Sequence, residues 1–549
     1  MPRTRFAVGR SASALRCALC AALLTGAAAG QRPAHVAGAT PEQRASRALE
    51  QARTSRSAAL ELEAFLRAMP KGADLHMHLS GAIYAETFLK DAAADHLCVD
   101  PKGLRLVKPT GSGADACPSG DVPAAGVTKT QGLYDALVDS FSMRSFVPSA
   151  GVSGHDQFFA TFERFGGIDK AHTGEWLDEV ATRAAAQNEQ YLEVMITPSF
   201  GELAPLWMRL GWPATRGGAS SAEVHGDVTG ASPTELEALR GQLLAGGLRD
   251  EVARDAQEID EALATRDRIE HCGQPGAGPG CRVTIRFLYQ ILRAFSPQQV
   301  FAQTLLGFET ALADPNVVGL NFVQPEDAYM AMSEYTRQMH MLDYLHGVYP
   351  HVHVSLHAGE VAPGLVPPEG LRFHIREAVE LGHAERIGHG VDVMHEDDPR
   401  GLLRELRERH VSIEINLTSN DVILGVVPPY HPLPSYRAAG VPVSLNTDDE
   451  GVSRIDLTNE YVRAAREYGL GYADLKGMAR TSLEHSFLPG ESLWARPDEF
   501  TGIKPVCAKQ TPGSPVPTAD CLALLKASQR AAQQWELERR FAAFEASFR

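Results

Sequence analysis

The sequence predicts an α/β fold: a (β/α)8 TIM barrel carrying insertions and flanked by N- and C-terminal helices. Three observations predict it. Eight strand-like apolar runs alternate with helical segments, the pattern of a parallel barrel. Chemistry-bearing residues recur at the C-terminal ends of those runs, where barrel active sites lie. The first run, Asp74-Leu75-His76-Met77-His78-Leu79-Ser80-Gly81, opens with two histidines spaced two apart. Period two puts Asp74, His76, His78 and Ser80 on one face and Leu75, Met77 and Leu79 on the other. Such a polar face must be hydrogen-bonded, solvated or metal-bound, because burying unpaired polar groups is costly.

Composition sets bounds. The 549 residues are 44% hydrophobic and 22% charged, ordinary for a soluble globular chain. One barrel with insertions accommodates that length. A net charge of -16 argues against nucleic-acid binding through phosphate neutralisation. Residues 1–29 read as a signal peptide: Arg3, Arg5, Arg10 and Arg16 precede the apolar run Cys17–Leu24, and Ala27-Ala28-Ala29 offers a cleavage site. The run is too short for a stable membrane anchor, so an exported, periplasmic or extracellular protein is expected. Cys98, Cys117, Cys272, Cys281, Cys507 and Cys521 then remain. An even count in an exported chain predicts disulfides, and local pairing gives Cys98–Cys117, Cys272–Cys281 and Cys507–Cys521. Oligomeric state is left open, a homodimer included.

The elements follow in order. Residues 30–70 are expected to be a helical N-terminal segment, with Leu49, Ala52, Ala59, Leu60, Leu62, Phe65 and Leu66 at helical spacing and Pro70 as its stop. The barrel is expected over 71–490, with insertions at about 96–130 and 266–282, and a C-terminal extension over 491–549. After the first strand come a helix Ala82–Ala94, a cysteine-stapled insertion, and helices near Tyr134–Phe141, His155–Phe165 and Glu175–Asn188. The second strand is Tyr191–Thr197. A Gly-rich loop, Gly217 to Gly230, and one long helix, about Pro233 to Thr265, follow it. Further strands are Arg282–Phe287, Val317–Val323, His351–His357, Arg386–His389, Val411–Leu417 and Val441–Asn446. Helices Pro297–Ala311, Tyr329–His346, Phe373–Leu381 and Arg400–Arg409 separate them. The chain closes with a single helix, Ala519–Phe548, packed outside the barrel or on a partner.

The strand ends carry the chemistry. His76 and His78 end the first, Ser355-Leu356-His357-Ala358-Gly359-Glu360 the fifth, and Arg386-Ile387-Gly388-His389-Gly390 the sixth. Glu414 to Asn420 follow on the seventh, and Asn446-Thr447-Asp448-Asp449 on the eighth. Three imidazoles and a carboxylate on one rim suit a divalent metal with an open position for water. Zinc fits nitrogen-rich ligation best, with iron and manganese as alternatives. Glu360, three residues beyond His357, suits a proton shuttle. His351 and His353 lie earlier on their strand and are expected to be packed. His374, His383 and His395 are expected to have no catalytic role.

His-Met-His-Leu-Ser-Gly-Ala, His-Ala-Gly-Glu, Arg-Ile-Gly-His-Gly and Asn-Thr-Asp-Asp, in order from about Lys71 to Leu483, resemble the motifs of the adenosine/AMP deaminase family of the amidohydrolase superfamily. The flanking segments resemble its secreted branch more loosely. The resemblance implies a zinc-dependent conversion of adenosine or 2′-deoxyadenosine to inosine or 2′-deoxyinosine with release of ammonia, the partner being a small purine nucleoside. It implies His76, His78, His357 and Asp448 as ligands of one zinc ion. Glu360 matches the residue that protonates purine N1, His389 the one that positions the hydroxide, and Asp449 the carboxylate at N7. His78, Ser80, Gln324, Gly359 and Asp449 match substrate-contacting positions. Val317–Gln324 contains no lysine to form a bridging carbamate, which favours a single metal.

Three departures touch the substrate. Ser80 stands where many relatives carry an Asp that bonds the ribose 5′-hydroxyl. Gln324 aligns with a glycine that contacts purine N3, and Met195 with an arginine. Another aminopurine or modified nucleoside is therefore the nearest alternative substrate. A growth-factor-like protein without activity is a rival of another class, and an amide or ester hydrolase a third. Glu326 and Asp327 read as rim structure.

Overall fold

Eight strands pair side by side in chain order, and every pairing is parallel. They are β1 (Gly72–His78), β2 (Glu189–Ile196), β3 (Thr284–Leu292), β4 (Val317–Val323), β5 (His353–Ala358), β6 (Arg386–His389), β7 (Ser412–Ile415) and β8 (Val443–Leu445). A parallel bridge between Met77 and Asp448 brings the last strand back to the first. There the His78 N–H donates to the Asp448 carbonyl (3.0 Å) and the Asp448 N–H to the His76 carbonyl (2.8 Å). The (β/α)8 barrel expected from the alternation is thus observed. The computed structural model describes residues 39–111, 117–168, 170–213 and 231–549. The expected signal peptide, with Cys17 and Cys20, and the loop Gly217 to Gly230 lie outside the described residues.

The strands are buried on both faces, as parallel strands covered by helices must be. Leu75, Leu192, Val194, Phe287, Leu320, Leu356, Ile387 and Ile413 belong to one continuous core. Polar residues on the other face fill the barrel interior: Glu193, Asn321, Ser355, Arg386 and Glu414 are fully buried. Arg386 lies 2.7 Å from Glu193 and 2.5 Å from Glu414, with its guanidinium 3.7 Å from the centre of the Phe487 ring. A buried charge needs such partners.

Several elements differ from the sequence expectation, for local reasons. Alternation along the first strand stops at His78, and Ser80 belongs to a short helix, Leu79–Ala82. Ile83 and Tyr84 are extended, so the next helix is Ala85–Ala94 and not Ala82–Ala94. The long helix divides into Pro233–Ala245 and Leu248–Ile269. Gly247, at φ 109°, makes the break, a conformation glycine adopts at little steric cost. The N-terminal segment is likewise two helices, Pro41–Thr54 and Ala58–Ala68. The C-terminal one divides into Ala519–Ala527 and Gln529–Ala546 at Ser528, whose hydroxyl caps the second by accepting from Ala531 N–H. The third strand runs on from Phe287 to Leu292. His351 precedes β5 and is exposed, not packed.

All three expected disulfides are present. Cys98–Cys117 staples the first insertion, in which Cys98–Asp100 pairs antiparallel with Arg105–Val107 and Val122–Pro123. Cys507 and Cys521 form a small separate core with Leu493, Ala531 and Trp535. The last helix covers the N-terminal ends of the strands: Gln190 donates to Gln533 and Arg540 to the Glu189 carbonyl. Phe65, from the N-terminal helices, packs edge-on against Phe544 with centroids 5.2 Å apart. Both flanking segments therefore lie away from the rim where the chemistry-bearing residues gather.

Candidate metal centre and catalytic cleft

At the C-terminal rim, one nitrogen from each of His76, His78 and His357 and one oxygen of Asp448 all lie within 4.8 Å of one another. The Nε2 atoms of His78 and His357 stand 3.1 Å apart. Asp448 Oδ1 lies 3.4 Å from His76 Nε2 and 3.2 Å from His78 Nε2. His76 Nε2 is buried without a hydrogen-bond partner, an arrangement that costs free energy unless something else fills it.

The outer nitrogens are already engaged. His76 Nδ1 is 2.7 Å from Glu414 Oε2, and His357 Nδ1 is 2.7 Å from Asn321 Oδ1. Both partners accept, so each Nδ1 carries the proton and each Nε2 presents a lone pair inward. His78 Nδ1 meets the Gln290 amide at 2.5 Å, and that amide also bonds the Thr197 hydroxyl. Turned so that its oxygen faces Nδ1, Gln290 completes the same pattern, with Thr197 Oγ1 accepting from its NH2. Burial opposes ionisation of Glu414, but Arg386 and His76 outweigh it and hold the carboxyl at about 2. Inward lone pairs, carboxylates and an unpaired nitrogen together fit a divalent cation.

Two close approaches make the geometry available. A Cβ on Gly388 would lie 2.5 Å from His76 Cε1, and one on Gly81 1.4 Å from Asp449 Oδ1. Only glycine at these positions lets β6 lie against the His76 ring and lets Asp449 fold over the end of β1. Gln324, His389 and Asp448 all have positive φ (84°, 67° and 61°). For residues with a side chain this region is strained and persists only where the surroundings enforce it.

Beside the cluster, His389 Nε2 stands 3.6 Å from Glu360 Oε1 and 3.8 Å from Asp448 Oδ2. His431 donates to Asn420 Oδ1 (3.0 Å), so the Asn420 NH2 faces His389 Nδ1 at 2.9 Å. His389 Nδ1 therefore accepts, and its proton lies on Nε2, aimed at Glu360 and Asp448. Burial pushes this imidazole down to about 3, so it is neutral at physiological pH. Burial first, and then Asp448, raise Glu360 well above the usual carboxylate range. The same two causes raise Asp449.

Glu360 is held from below. Glu326 accepts the Gly359 N–H (3.0 Å) and the Glu360 N–H (2.7 Å). His374 Nδ1 is 2.5 Å from Glu326, and Arg293 lies 3.8 Å away. Arg293 also donates to the His357 and Gln324 carbonyls. Burial opposes charge on Glu326, but His374 and Arg293 prevail and hold it at about 2.

The residues that the sequence assigns to the site lie at or beside this rim. His76, His78, His357 and Asp448 converge, with Glu360 and His389 adjacent. Ser80, Gln324 and Asp449 line a cavity of about 410 Å³ that also exposes His78, His357 and Glu360. Gln324 accepts Ala294 N–H through Oε1. Gly359 gives its N–H to Glu326. Sequence reasoning missed Gln290, Arg293, Asn321 and Asn420 as supports, and it assigned His374 no place in the site. The signals were present: buried polar residues inside otherwise apolar strands, Gln290 on β3 and Asn321 on β4.

A family model described as adenosine deaminase matches residues 250–495. Over that span the chain is similar to adenosine deaminases. The matched span includes His357, Glu360, His389, Asp448 and Asp449, whereas His76 and His78 precede it. An adenosine deaminase of Escherichia coli (strain SE11) is 39% identical over 140 residues, 25% of this chain and 39% of that protein. The chain thus spans about two fifths of the length of the curated relatives it matches. Among solved structures, a cog1816 amidohydrolase from Burkhoderia ambifaria with bound Zn superposes with a TM-score of 0.50 at 16% identity. It covers 89% of this chain and 94% of that one, a likeness of fold. Among the described residues no helix is long and apolar enough to cross a membrane.

Proposed function

We propose that the protein is a zinc-dependent deaminase that hydrolyses the 6-amino group of adenosine and 2′-deoxyadenosine. The observation that carries this reading is the convergence of three inward-facing imidazoles and Asp448 on one side of a cavity that Glu360 also lines. His76, His78, His357 and Asp448 would hold a single ion. Bound there, zinc supplies acidified water, its pKa lowered to about 7.

The chain's own groups account for the rest. Glu360, whose burial favours the protonated carboxyl, donates to the ring nitrogen beside the reacting carbon, so that attack at C6 builds no isolated negative charge on the ring. The neutral His389 offers its Nε2–H toward the same point and steadies the developing oxyanion. Asp449, likewise kept protonated by burial, hydrogen-bonds a ring nitrogen and orients the purine. Once the C6–O bond has formed, the ionised Glu360 takes the proton of the added hydroxyl and passes it to the amine, so that the C6–N bond breaks and ammonia leaves while the ring nitrogen keeps the proton it received. Residues 71–490 form the catalytic barrel in this reading, and residues 1–29 direct export. The disulfides suit such a compartment.

The test is ammonia release and loss of adenosine absorbance by purified, zinc-loaded protein. Turnover that disappears in Glu360→Gln while zinc stays bound supports the reading. No ammonia from any aminopurine overturns it.

A further inference from the structure

The cavity that carries the metal cluster does not end at Ser80. A second chamber of about 300 Å³ adjoins it, and Ser80, Phe162, Thr197 and Gln290 line both. The second chamber is walled by Phe88, Phe165, Trp176, Met195, Ile259 and Phe287, all buried except the half-buried Trp176. Aromatic and aliphatic walls of this kind favour an apolar guest. Lys170, which also lines it, lies 3.7 Å from Glu258 and donates to the Thr197 carbonyl (2.8 Å). Among the described residues, the one cation lining the chamber is therefore matched by a carboxylate, which leaves no net positive charge there for a phosphate. At the junction Ser80 presents an uncharged hydroxyl, where a carboxylate would have to be desolvated beside an apolar group.

A purine nucleoside carries its 6-amino group and its N9 sugar at opposite ends. With the amino-bearing carbon at the metal cluster, the sugar leads away from it, and the exocyclic 5′ carbon is its outermost atom. We infer that the chamber beyond Ser80 is a specificity subsite for an apolar 5′ substituent, which makes 5′-deoxy-5′-alkylthio purine nucleosides better substrates than adenosine itself. This rests on the deaminase reading above and deepens it.

The test compares kcat/KM of the zinc-loaded full chain for adenosine, 5′-deoxyadenosine, 5′-deoxy-5′-(methylthio)adenosine, its propylthio analogue, N6-methyladenosine and AMP. A gain of about tenfold from adenosine to the methylthio compound is expected, since a single methylene in an apolar pocket discriminates by that much or more. Ala262 lines the same chamber from helix Leu248–Ile269. Ala262→Leu should cancel the gain and leave adenosine turnover unchanged. Calorimetric binding of inosine against 5′-deoxy-5′-(methylthio)inosine gives a readout independent of turnover, and should show the same preference. Adenosine or AMP outperforming the alkylthio compounds, or a gain confined to N6-methyladenosine, overturns the subsite while leaving the deaminase reading intact. No turnover of any compound overturns the deaminase reading; tighter binding of the alkylthio inosine then still supports the subsite, and equal binding removes it as well.

Discussion

His78 and His357 present their Nε2 atoms to one another at 3.1 Å, with the opposite nitrogen of His357 held by Asn321 and that of His78 by Gln290. Two inward lone pairs at this separation repel unless a cation or a proton stands between them. Zinc loading should therefore raise Tm and chelation lower it, by about 2.7 kcal/mol of stability at a hundredfold excess over Kd. Elemental analysis should give one equivalent. Two tightly bound equivalents, or a Tm indifferent to chelation, would contradict this account.

Glu360→Gln should lower kcat by about a thousandfold, within the range for losing a general acid–base group. Zinc content and Tm should hardly change, because Glu360 lies beside the cluster and not in it. Equal activity in the two proteins would remove the carboxyl from the mechanism.

Glu326 acts one layer down. In Glu326→Gln the neutral amide cannot accept from both the Gly359 and Glu360 amides while balancing Arg293 and His374. A loss of about 3–5 kcal/mol in stability is expected from breaking a buried ionic cluster. At temperatures where the variant is folded, kcat should fall while KM for adenosine holds. Unchanged kcat in folded protein would make Glu326 purely structural.

Gly388→Ala places a methyl group where His76 Cε1 must be. Zinc affinity should weaken by about 10–100-fold, the effect of disturbing a ligand's support. Overpacking costs about 1–3 kcal/mol besides. Competition against a calibrated chelator measures the first effect, and denaturant unfolding the second.

Asp255 gives a pH prediction away from the metal. It is buried, accepts from Tyr289 (2.9 Å), and burial raises its carboxyl to about 8. The unfolded value is about 3.9, so the folded state holds the proton more tightly. Its contribution is complete below about pH 4 and is lost as pH rises toward 8. Asp255→Asn should flatten the stability profile across that window and exceed the wild type by a few kcal/mol above it. A parallel pair of profiles would refute this.

The barrel and the meeting of His76, His78, His357 and Asp448 at its rim were legible because both follow from short-range pattern. Strand alternation sets which way His76 and His78 point, and a rim position needs only the end of an apolar run. The supports were not legible, since each comes from a strand or loop far away in sequence. Gln290 was hidden by ending the third strand at Phe287; the apolar run Phe287–Ile291, interrupted only by Gln290 itself, lacks the alternation that marks a strand. His374 looked idle because its partner, Glu326, lies 48 positions earlier and meets it only after folding. Helix breaks at Gly247 and Ser528 were missed for another reason: the Gly246-Gly247 pair, a turn signal, sits inside otherwise continuous helical spacing, and one serine costs too little to show in a pattern.

The backbone bridge at Asp448 has a reach beyond ligation. The residue that would hold the ion is also the one whose amide and carbonyl stitch the last strand to the first. Substitutions that retune the ligand sphere must therefore preserve the closure of the whole cylinder. Gln324, just past the end of β4, and the apolar walls of the second chamber carry no such obligation. Changes in what the cavity accepts are best tolerated on that freer wall, so new activities are best sought by randomising it and leaving the seam untouched.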